Sequence, residues 1–551
     1  MQRFWKLFLL LVCAATASWG QVDRGSISGL VTDATGAVIP GVAVTVTETE
    51  TGVNYKGDVT NEQGVYRILN LPVGTYSLVF ARDGFKSYAR GGVTVSMSQN
   101  VTLNAKLEVG NRVDSITVTD DTTLLNTQDA LVGSTVAGDV LTDLPLTADG
   151  GRDVRNFGRA LVPTFSTVTG TQLGYNNSVA GSQITSIATS VDGVSADAGL
   201  YGIVNGPGMD AVNQYQVQVS GISAAAAQTG GGEQMYELKS GTNTFHGSAF
   251  GFLANEVLNA NTWSNNYFLS QCAAGDATCK ADYKRPMDRY NDWGFSAGGP
   301  IWKKHTFIFG AYEHYHKQDM TYSPLGATVP TTNMLNGDFS ELFSTFTTNP
   351  LTGAACGTPC PTGQTDASGN PIYFGAIFNP SSPGNVFVNN QIPSGSISAE
   401  SQKIIDIYKQ YYQPENSNLI NNYWGYATFG TNPINTNYHL DLKLDHNFSD
   451  RHHINASYNR YRETPINPGG LWQHGSTDGG PFTQSYLQGT EGWEVRVQDY
   501  YTISSNLVNF ATAGYNYWLR WDVTSHAVDN SALDFPSTSS GANNFPNINF
   551  V

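Results

Sequence analysis

Charge is scarce in these 551 residues. Asp, Glu, Lys and Arg together make up 13%, and acids outnumber bases 45 to 29, for a formal net charge of −16. A nucleic-acid partner wants clustered Lys and Arg on one face, so that class is set aside. Long apolar runs are missing too: no 18 consecutive residues are apolar, which removes a membrane-spanning helix. Enzyme signatures are absent as well. There is no H-E-x-x-H, no phosphate-binding loop, and no G-x-G-x-x-G joining a strand to a helix. No catalytic residue, cofactor site or metal site is nominated. The pairs His314/His316, His452/His453 and Asp441/Asp445 are read as solvated faces of strands or loops. What is plentiful is Gly (58 residues), aromatic side chains (12%) and Ser, Thr and Asn. That composition suits extracellular β structure better than a cytosolic enzyme.

Cysteine is rare, five in all. Residues 1–20 read as a signal peptide: Arg3 and Lys6 precede the short apolar run Leu7 to Ala17, and Ser18-Trp19-Gly20 puts small residues at the cleavage site. Cys13 falls inside that segment. The other four, Cys272, Cys279, Cys356 and Cys360, form two close pairs in Gly-, Pro- and Asn-rich loops. In an oxidising compartment two local disulfides are expected; a zinc site on C-x-x-x-C lacks the His spacing to complete it. With no helix to cross a bilayer, a membrane role requires a β-barrel.

Residues 25–107 carry short strand patterns separated by Asp33-Ala34-Thr35-Gly36, Pro40-Gly41, Asn61-Glu62-Gln63-Gly64 and Asp83-Gly84, the spacing of a sandwich. The stretch GSISGLVTDATGAVIPGVAVTV, followed by TNEQGVYRILNLPVGTYSLVFARDGF, resembles the carboxypeptidase regulatory-like family. Asp33, Gly36, Pro40, Gly41, Gly64 to Tyr66, Leu71 to Gly74 and Tyr76 carry the match. The resemblance implies a seven-stranded, transthyretin-like sandwich with a carbohydrate-binding-like fold and no catalytic machinery. A periplasmic docking module and a passive spacer both fit it.

Next, Val113, Asp114, Ser115, Ile116, Thr117, Val118 and Thr119 form a β-branched run between polar flanks. It is either the first strand of the next domain or an exposed strand offered to a partner sheet. By position it resembles the TonB box of TonB-dependent transporters, which implies TonB as a partner. Residues from Thr122 to about Thr229 resemble the plug of the same family, through Leu144-Pro145-Leu146, Gly151-Arg152, Asn156-Phe157, the Val191-Asp192-Gly193 turn and DAVNQYQV from Asp210. Asp-Gly makes a tight hairpin turn.

From Phe245 onward about seven alternating strands follow, joined by short and long connections in turn, the pattern of an outer-membrane barrel. In Tyr438 to Asp445, Tyr and Leu take one parity and His, Asp and Lys the other; one face suits lipid and the other a watery lumen. Trp293, Trp302, Tyr312, Tyr438, Trp493, Tyr500, Tyr501, Tyr517 and Trp518 are candidate interfacial girdles. SGTNTFHGSAF, FSAGGPIWKKHTFIFGAYE, VPTTNMLNGDFSELF and NQIPSGSISAESQKIIDIYKQYYQPEN resemble Oar-like TonB-dependent transporters. Ser398 to Tyr412 reads as a capped helix ended by Gln413-Pro414.

The expected architecture is mainly β. Residues 1–20 are the signal peptide and 21–110 the sandwich; 111–121 are the TonB-box-like linker, 122–243 the plug, and 244–551 the first part of a barrel with long extracellular loops. Seven strands cannot close a plug-bearing barrel, which needs 22, so an open, curved sheet of a truncated product is expected. The resemblance implies an outer-membrane receptor that takes up an unidentified extracellular substrate, surrounded by outer-membrane lipid, with its N-terminal domain and plug on the periplasmic side. A surface adhesion protein and a secreted carbohydrate-binding protein are the alternatives. Ser240, Gly241, Thr242, Asn243, His246 and Gly247 form the expected hinge between plug and wall, with a φ > 0 position in its turn. Strands before Ser240 should pack inside the sheet and those after Phe245 should form it.

Overall fold

The computed structural model describes residues 24–110, 115–119, 132–143, 206–220, 230–319 (save 286), 328–411, 434–464, 486–504 and 507–524. Shorter pieces between 147 and 196 and at 414, 419 and 422 complete it. The signal peptide, Leu144-Pro145-Leu146, Asn156-Phe157 and the tail beyond 524 lie outside the described residues.

The first unit is a two-sheet sandwich. Its strands are β1 (Gly25–Asp33), β2 (Ala43–Glu48), β3 (Asn54–Tyr55), β4 (Val65–Leu71), β5 (Gly74–Ala81), β6 (Ser87–Val95), β7 (Asn100–Thr102), β8 (Ala105–Leu107) and β9 (Ser115–Thr119). One sheet is ordered β4-β1-β7, with β8 also on β1; the other is β3-β2-β5-β6-β9. Alternate residues point inward, so Val44 and Val46 of β2, Tyr66 and Ile68 of β4 and Tyr76, Leu78 and Phe80 of β5 are buried between the sheets. Burial at about 25 cal/mol per Å² makes this apolar layer the main stabiliser. The Asp33 turn forms as its residues require: the carboxylate accepts the amides of Thr35 and Ala37 at 2.8 and 2.9 Å, and Gly36 takes φ +90°. β7 and β8 are two short strands separated by Leu103 and Asn104. Leu103 donates its amide to Ser28 O and Asn104 Oδ1 accepts the Leu30 amide at 2.9 Å, so the chain steps along β1 between β7 and β8.

The second unit is centred on a five-stranded sheet. Its strands are β10 (Val132–Ala137), β15 (Ile187–Val191), β16 (Val194–Ser195), β17 (Val212–Ser220) and β18 (Gly232–Leu238), in the order β10-β17-β18-β15-β16. Two small hairpins accompany it: β11 (Thr147–Ala148) with β12 (Gly151–Arg152), and β13 (Phe165–Thr167) with β14 (Asn177–Val179). Val191, Val212, Tyr215, Val217, Tyr236 and Leu238 form its core, joined by Phe309 and Ala311 of the wall.

The wall is a meander of β19 (His246–Asn255), β20 (Asp288–Trp302), β21 (Thr306–Asp319), β24 (Ile434–Asn447), β25 (His452–Thr464), β26 (Tyr486–Ser504) and β27 (Leu507–Thr524). The minor hairpin β22 (Pro361–Thr365) and β23 (Pro371–Tyr373) lies in the longest loop. Every wall strand pairs antiparallel with its sequence neighbour. Among the described residues the sheet runs from β19 to β27 without closing. Several strands are long, up to 19 residues in β26, because the antiparallel partner continues to satisfy the backbone along its length.

The two faces of the wall differ sharply. Leu442, Leu444, Val495 and Val497 are exposed on one parity, while Asp441, Lys443, Glu494 and Arg496 are buried on the other, against the plug. Trp293, Tyr312, Tyr438, Trp493 and Tyr517 mark the long-loop end of the outward face, and Trp302, Phe448 and Tyr501 the short-turn end. Eight residue steps separate Trp493 from Tyr501, about 20 Å along a barrel axis for a rise of about 3.3 Å per residue and a tilt of about 40°. Tyr500 and Trp518, expected in the girdles, fall instead on the inward parity; Tyr500 is 1% exposed. Nor is the inward face the watery lumen expected for Asp441 and Asp445, because plug and sandwich occupy it. His314, expected on a solvated face, stacks on Trp293 on the outward face.

Among the described residues no helix is long and apolar enough to cross a membrane. The helix Ala399–Tyr411 forms as its sequence predicts, with Ser398 Oγ accepting the Ser401 amide at 3.1 Å. Two further short helices are Trp263–Gln271, which Cys272 follows, and Ala277–Asp282, which contains Cys279. Thr262 and Asp276 cap them by accepting the amides of Asn265 and Cys279.

Candidate functional site: the interface between plug and wall

The plug meets the wall through polar side chains at three places. The first is the turn Val191-Asp192-Gly193 between β15 and β16. Asp192 and Gly193 both take positive φ, 45° and 68°, the backbone of a two-residue hairpin turn. An Asp tolerates this conformation when its carboxylate is held locally. Here Asp192 Oδ1 accepts the Leu238 amide at 2.9 Å, and the Asp192 amide donates to Tyr236 O at 2.8 Å. Three wall strands then close on the turn. Lys443 Nζ on β24 lies 3.3 Å from Asp192 Oδ1 and donates to Leu238 O at 2.9 Å. Gln498 Nε2 on β26 donates to Asp192 O. On β27, Gly514 leaves space for Val194: a Cβ there would lie 2.4 Å from its Cγ1.

The second place is Arg152 with the segment 206–211. Arg152 Nη1 lies 2.8 Å from Asp210 Oδ2, both side chains nearly excluded from solvent. Its guanidinium sits 4.2 Å from the Phe250 ring centre and 5.2 Å from that of Phe252, both on β19. Ser248 Oγ donates to Asp210 Oδ1 at 3.3 Å. Two wall carboxylates receive plug amides: Asp441 Oδ2 from Gly208 at 2.9 Å and Glu313 Oε2 from Met209 at 3.2 Å. Gly208 is needed for this approach, since a Cβ would stand 3.1 Å from Asp441 Oδ2 and 3.3 Å from His439 Cβ.

The third place is the segment Ser240 to Gly247. β18 ends before it among buried residues and β19 begins after it in the wall. Gly241 is not at positive φ, contrary to the sequence expectation; its constraint is space. A Cβ on Gly241 would lie 2.4 Å from Ile308 O and 2.7 Å from Gly299 O. Thr242 Oγ1 donates to Thr244 O at 2.8 Å and lies 3.2 Å from His246 Nδ1. Asn243 Oδ1 accepts the Lys304 amide at 2.9 Å, its own amide donates to Glu50 O at 3.2 Å, and its Nδ2 donates to Thr51 O. Gly247 pairs with Ala297. The segment is thus anchored to both the wall and the sandwich.

These contacts have one physical character. Buried ion pairs and charge-assisted hydrogen bonds specify orientation more than they add net stability, and breaking one partner alone is costly. A plug seated on such groups keeps a single register on the wall.

The other sequence-predicted residues are elsewhere. Val113 and Asp114 lie outside the described residues, whereas Ser115 to Thr119 are β9, paired in parallel with β6 from Ser87–Ser115 to Gly91–Thr119. The expected exposed strand is therefore already one edge of a sheet. Cys272 is bonded to Cys279 and Cys356 to Cys360, with Cα separations of 5.7 and 5.2 Å, both in the long loops. Among the described residues no three His, Cys, Asp or Glu side chains converge to hold a metal. Lys443 and Gln498 were not singled out from sequence; the signal available was a lone cation between Asp441 and Asp445 on the inward parity of β24.

The description "Outer membrane beta barrel domain" matches residues 237–551, more than half of the chain, and "Carboxypeptidase regulatory-like domain" matches residues 26–108. The TonB-dependent transporter Oar of Myxococcus xanthus is 24% identical over 275 residues, 49% of this chain and 25% of that relative. The chain therefore spans about a quarter of the curated relative it matches. Among solved structures, the outer membrane transporter YddB from Escherichia coli is 10% identical over 70% of this chain and 38% of its own, with a TM-score of 0.37. The ferric enterobactin receptor PfeA from Pseudomonas aeruginosa is 11% identical over 70% and 40%, with a TM-score of 0.36.

Proposed function

Because the chain belongs to the outer membrane beta barrel domain family, we propose that it forms part of a TonB-dependent outer-membrane transporter of the Oar-like type. It is not an enzyme: its matched relative is a transporter. The observation that carries the reading is a separate β unit seated on the inward face of a membrane wall through Asp192–Lys443 and through the Gly208 and Met209 amides on Asp441 and Glu313. A lumen filled in this way blocks diffusion until work displaces the filling. In this reading residues 21–110 are a periplasmic sandwich, 111–121 the strand that TonB engages, 122–243 the plug and 244–551 the wall with its extracellular loops. An extracellular substrate binds the plug apex and the loops. TonB pairs with Val113 to Thr119 and pulls, and the polar contacts at the wall give way.

The test needs no substrate. The C-terminal domain of TonB should bind the full chain in micelles, and deletion of residues 113–119 should weaken that binding at least tenfold. Equal binding by the deletion variant rejects the reading and favours a surface protein that keeps the fold without energised uptake.

A further inference from the structure

The sandwich is not a free bead on a linker. It packs against the short-turn end of the wall and against the plug together. Towards the wall, the Arg24 guanidinium lies 3.5 Å from the centre of the Tyr500 ring, and the rings of Tyr55 and His453 are 4.7 Å apart. The Lys56 amide donates to Asp450 O, in the turn between β24 and β25, at 2.7 Å. Phe307 of β21, 1% exposed, joins the sandwich core. Towards the plug, the Met97 amide donates to Gln214 Oε1 at 2.7 Å and Gln216 Nε2 donates to Met97 O at 3.3 Å, both from β17. Towards the hinge, Glu50 O accepts the Asn243 amide. One surface of the sandwich therefore joins plug strand β17 to β21, β25 and β26.

We propose that this surface is a periplasmic latch whose partner is the chain's own plug and wall. Docked, the sandwich holds β17 in place. β9 lies along β6 at the edge of the same domain and leads on to the plug, so a partner that draws β9 away loads the sandwich before it loads the plug. Release of the latch precedes movement of β17. The second half of this statement rests on the transport reading; the first does not.

Two measurements on the full chain in micelles test it. In R24A/Q216A, which removes one contact to the wall and one to the plug, hydrogen exchange of the β17 amides (Val212–Ser220) should rise at least tenfold. The hairpin of β20 and β21 should be unchanged. Unaltered exchange in β17 overturns the latch, with K56C/D450C cross-linking in the same background reporting that the sandwich has undocked. The backbone contact between residues 56 and 450 brings their Cα atoms within disulfide range. In the second measurement, reduced K56C/D450C should show faster β17 exchange when the TonB C-terminal domain is added. The oxidised form should bind that domain and show no acceleration. Acceleration in the oxidised form overturns the latch. Loss of binding in both forms rejects the transport reading, and the R24A/Q216A measurement then decides the latch alone.

Discussion

Replacing Lys443 by Met keeps the side-chain length and removes the ammonium. Lys443 is 5% exposed and Asp192 3%, so no bulk water takes over the role of the lost cation. Asp192 Oδ1 would keep the Leu238 amide and lose Lys443 Nζ at 3.3 Å; Leu238 O would lose its donor at 2.9 Å. Stranding one partner of a buried pair costs about 3–5 kcal/mol. At about 1.4 kcal/mol per factor of ten, opening of the β15–β16 hairpin should become about 100- to 4,000-fold more frequent. Hydrogen exchange of Ala188 to Val191 in micelles reads this directly, and the amides of β20 and β21 serve as internal controls. The companion D192N keeps a residue that tolerates positive φ and removes the charge. It should cost less, because Glu237 and Asp445 also lie near the ammonium. In K443M/D192N the losses should fall short of their sum by about 2 kcal/mol, as for two groups in one network. Additive losses, or a K443M effect below tenfold, would refute the clamp.

Gly241→Ala sets a Cβ against Ile308 O and Gly299 O, both backbone atoms that cannot swing aside. It should destabilise the junction by about 1–3 kcal/mol, seen as faster proteolysis near 240 with β24 to β27 intact. Burial, opposed by hydrogen bonds from Thr51 and Tyr55 and reinforced by Asp445, pushes the Glu48 carboxyl up to about 7. Between about 4.5 and about 7 the folded protein holds a proton that the unfolded chain has released. Stability should therefore fall as pH rises through that window and level off above it. The full shift corresponds to at most about 3 kcal/mol, and to less because Glu48 keeps part of its exposure. Denaturant melts at pH 5 and 8 should show the loss, and E48Q should flatten it. Finally, Cys272, Cys279, Cys356 and Cys360 should resist alkylation until reduced, when mass spectrometry should count four added groups. The wall sheet should survive that reduction, since both bridges close loops of only a few residues outside it.

The legible part of this protein was whatever depends on neighbours along the chain. Alternation in Tyr438 to Asp445 announced a two-faced strand, because successive side chains in a strand point to opposite sides. The Asp33-to-Gly36 turn and the cap at Ser398 were readable because their hydrogen bonds close within a few residues, and the Val191-Asp192-Gly193 turn because Asp-Gly accepts the positive φ of a two-residue hairpin. Alternating short and long connections set the order of the wall strands, and the change of pattern at Ser240 marked where plug gives way to wall.

What lay across the chain was not readable. Sequence parity could say that Lys443 and Tyr500 were on one face or near a strand end. It could not say that Asp192, 251 positions away, would meet the first, or that Arg24 would cover the second. The same limit explains β9. Its β-branched run signalled a strand in want of an edge, and only the placement of β6 decided which edge it took. Local pattern determines element type and face, because backbone geometry is set by adjacent residues. Partners are decided by packing, where many strand edges and charges compete for the same positions. Sequence by itself therefore determined a β-rich chain whose elements fall into a sandwich, a second β unit and a long-stranded wall; tertiary structure decided that all three meet, through polar contacts and through the wall residues Phe307, Phe309 and Ala311.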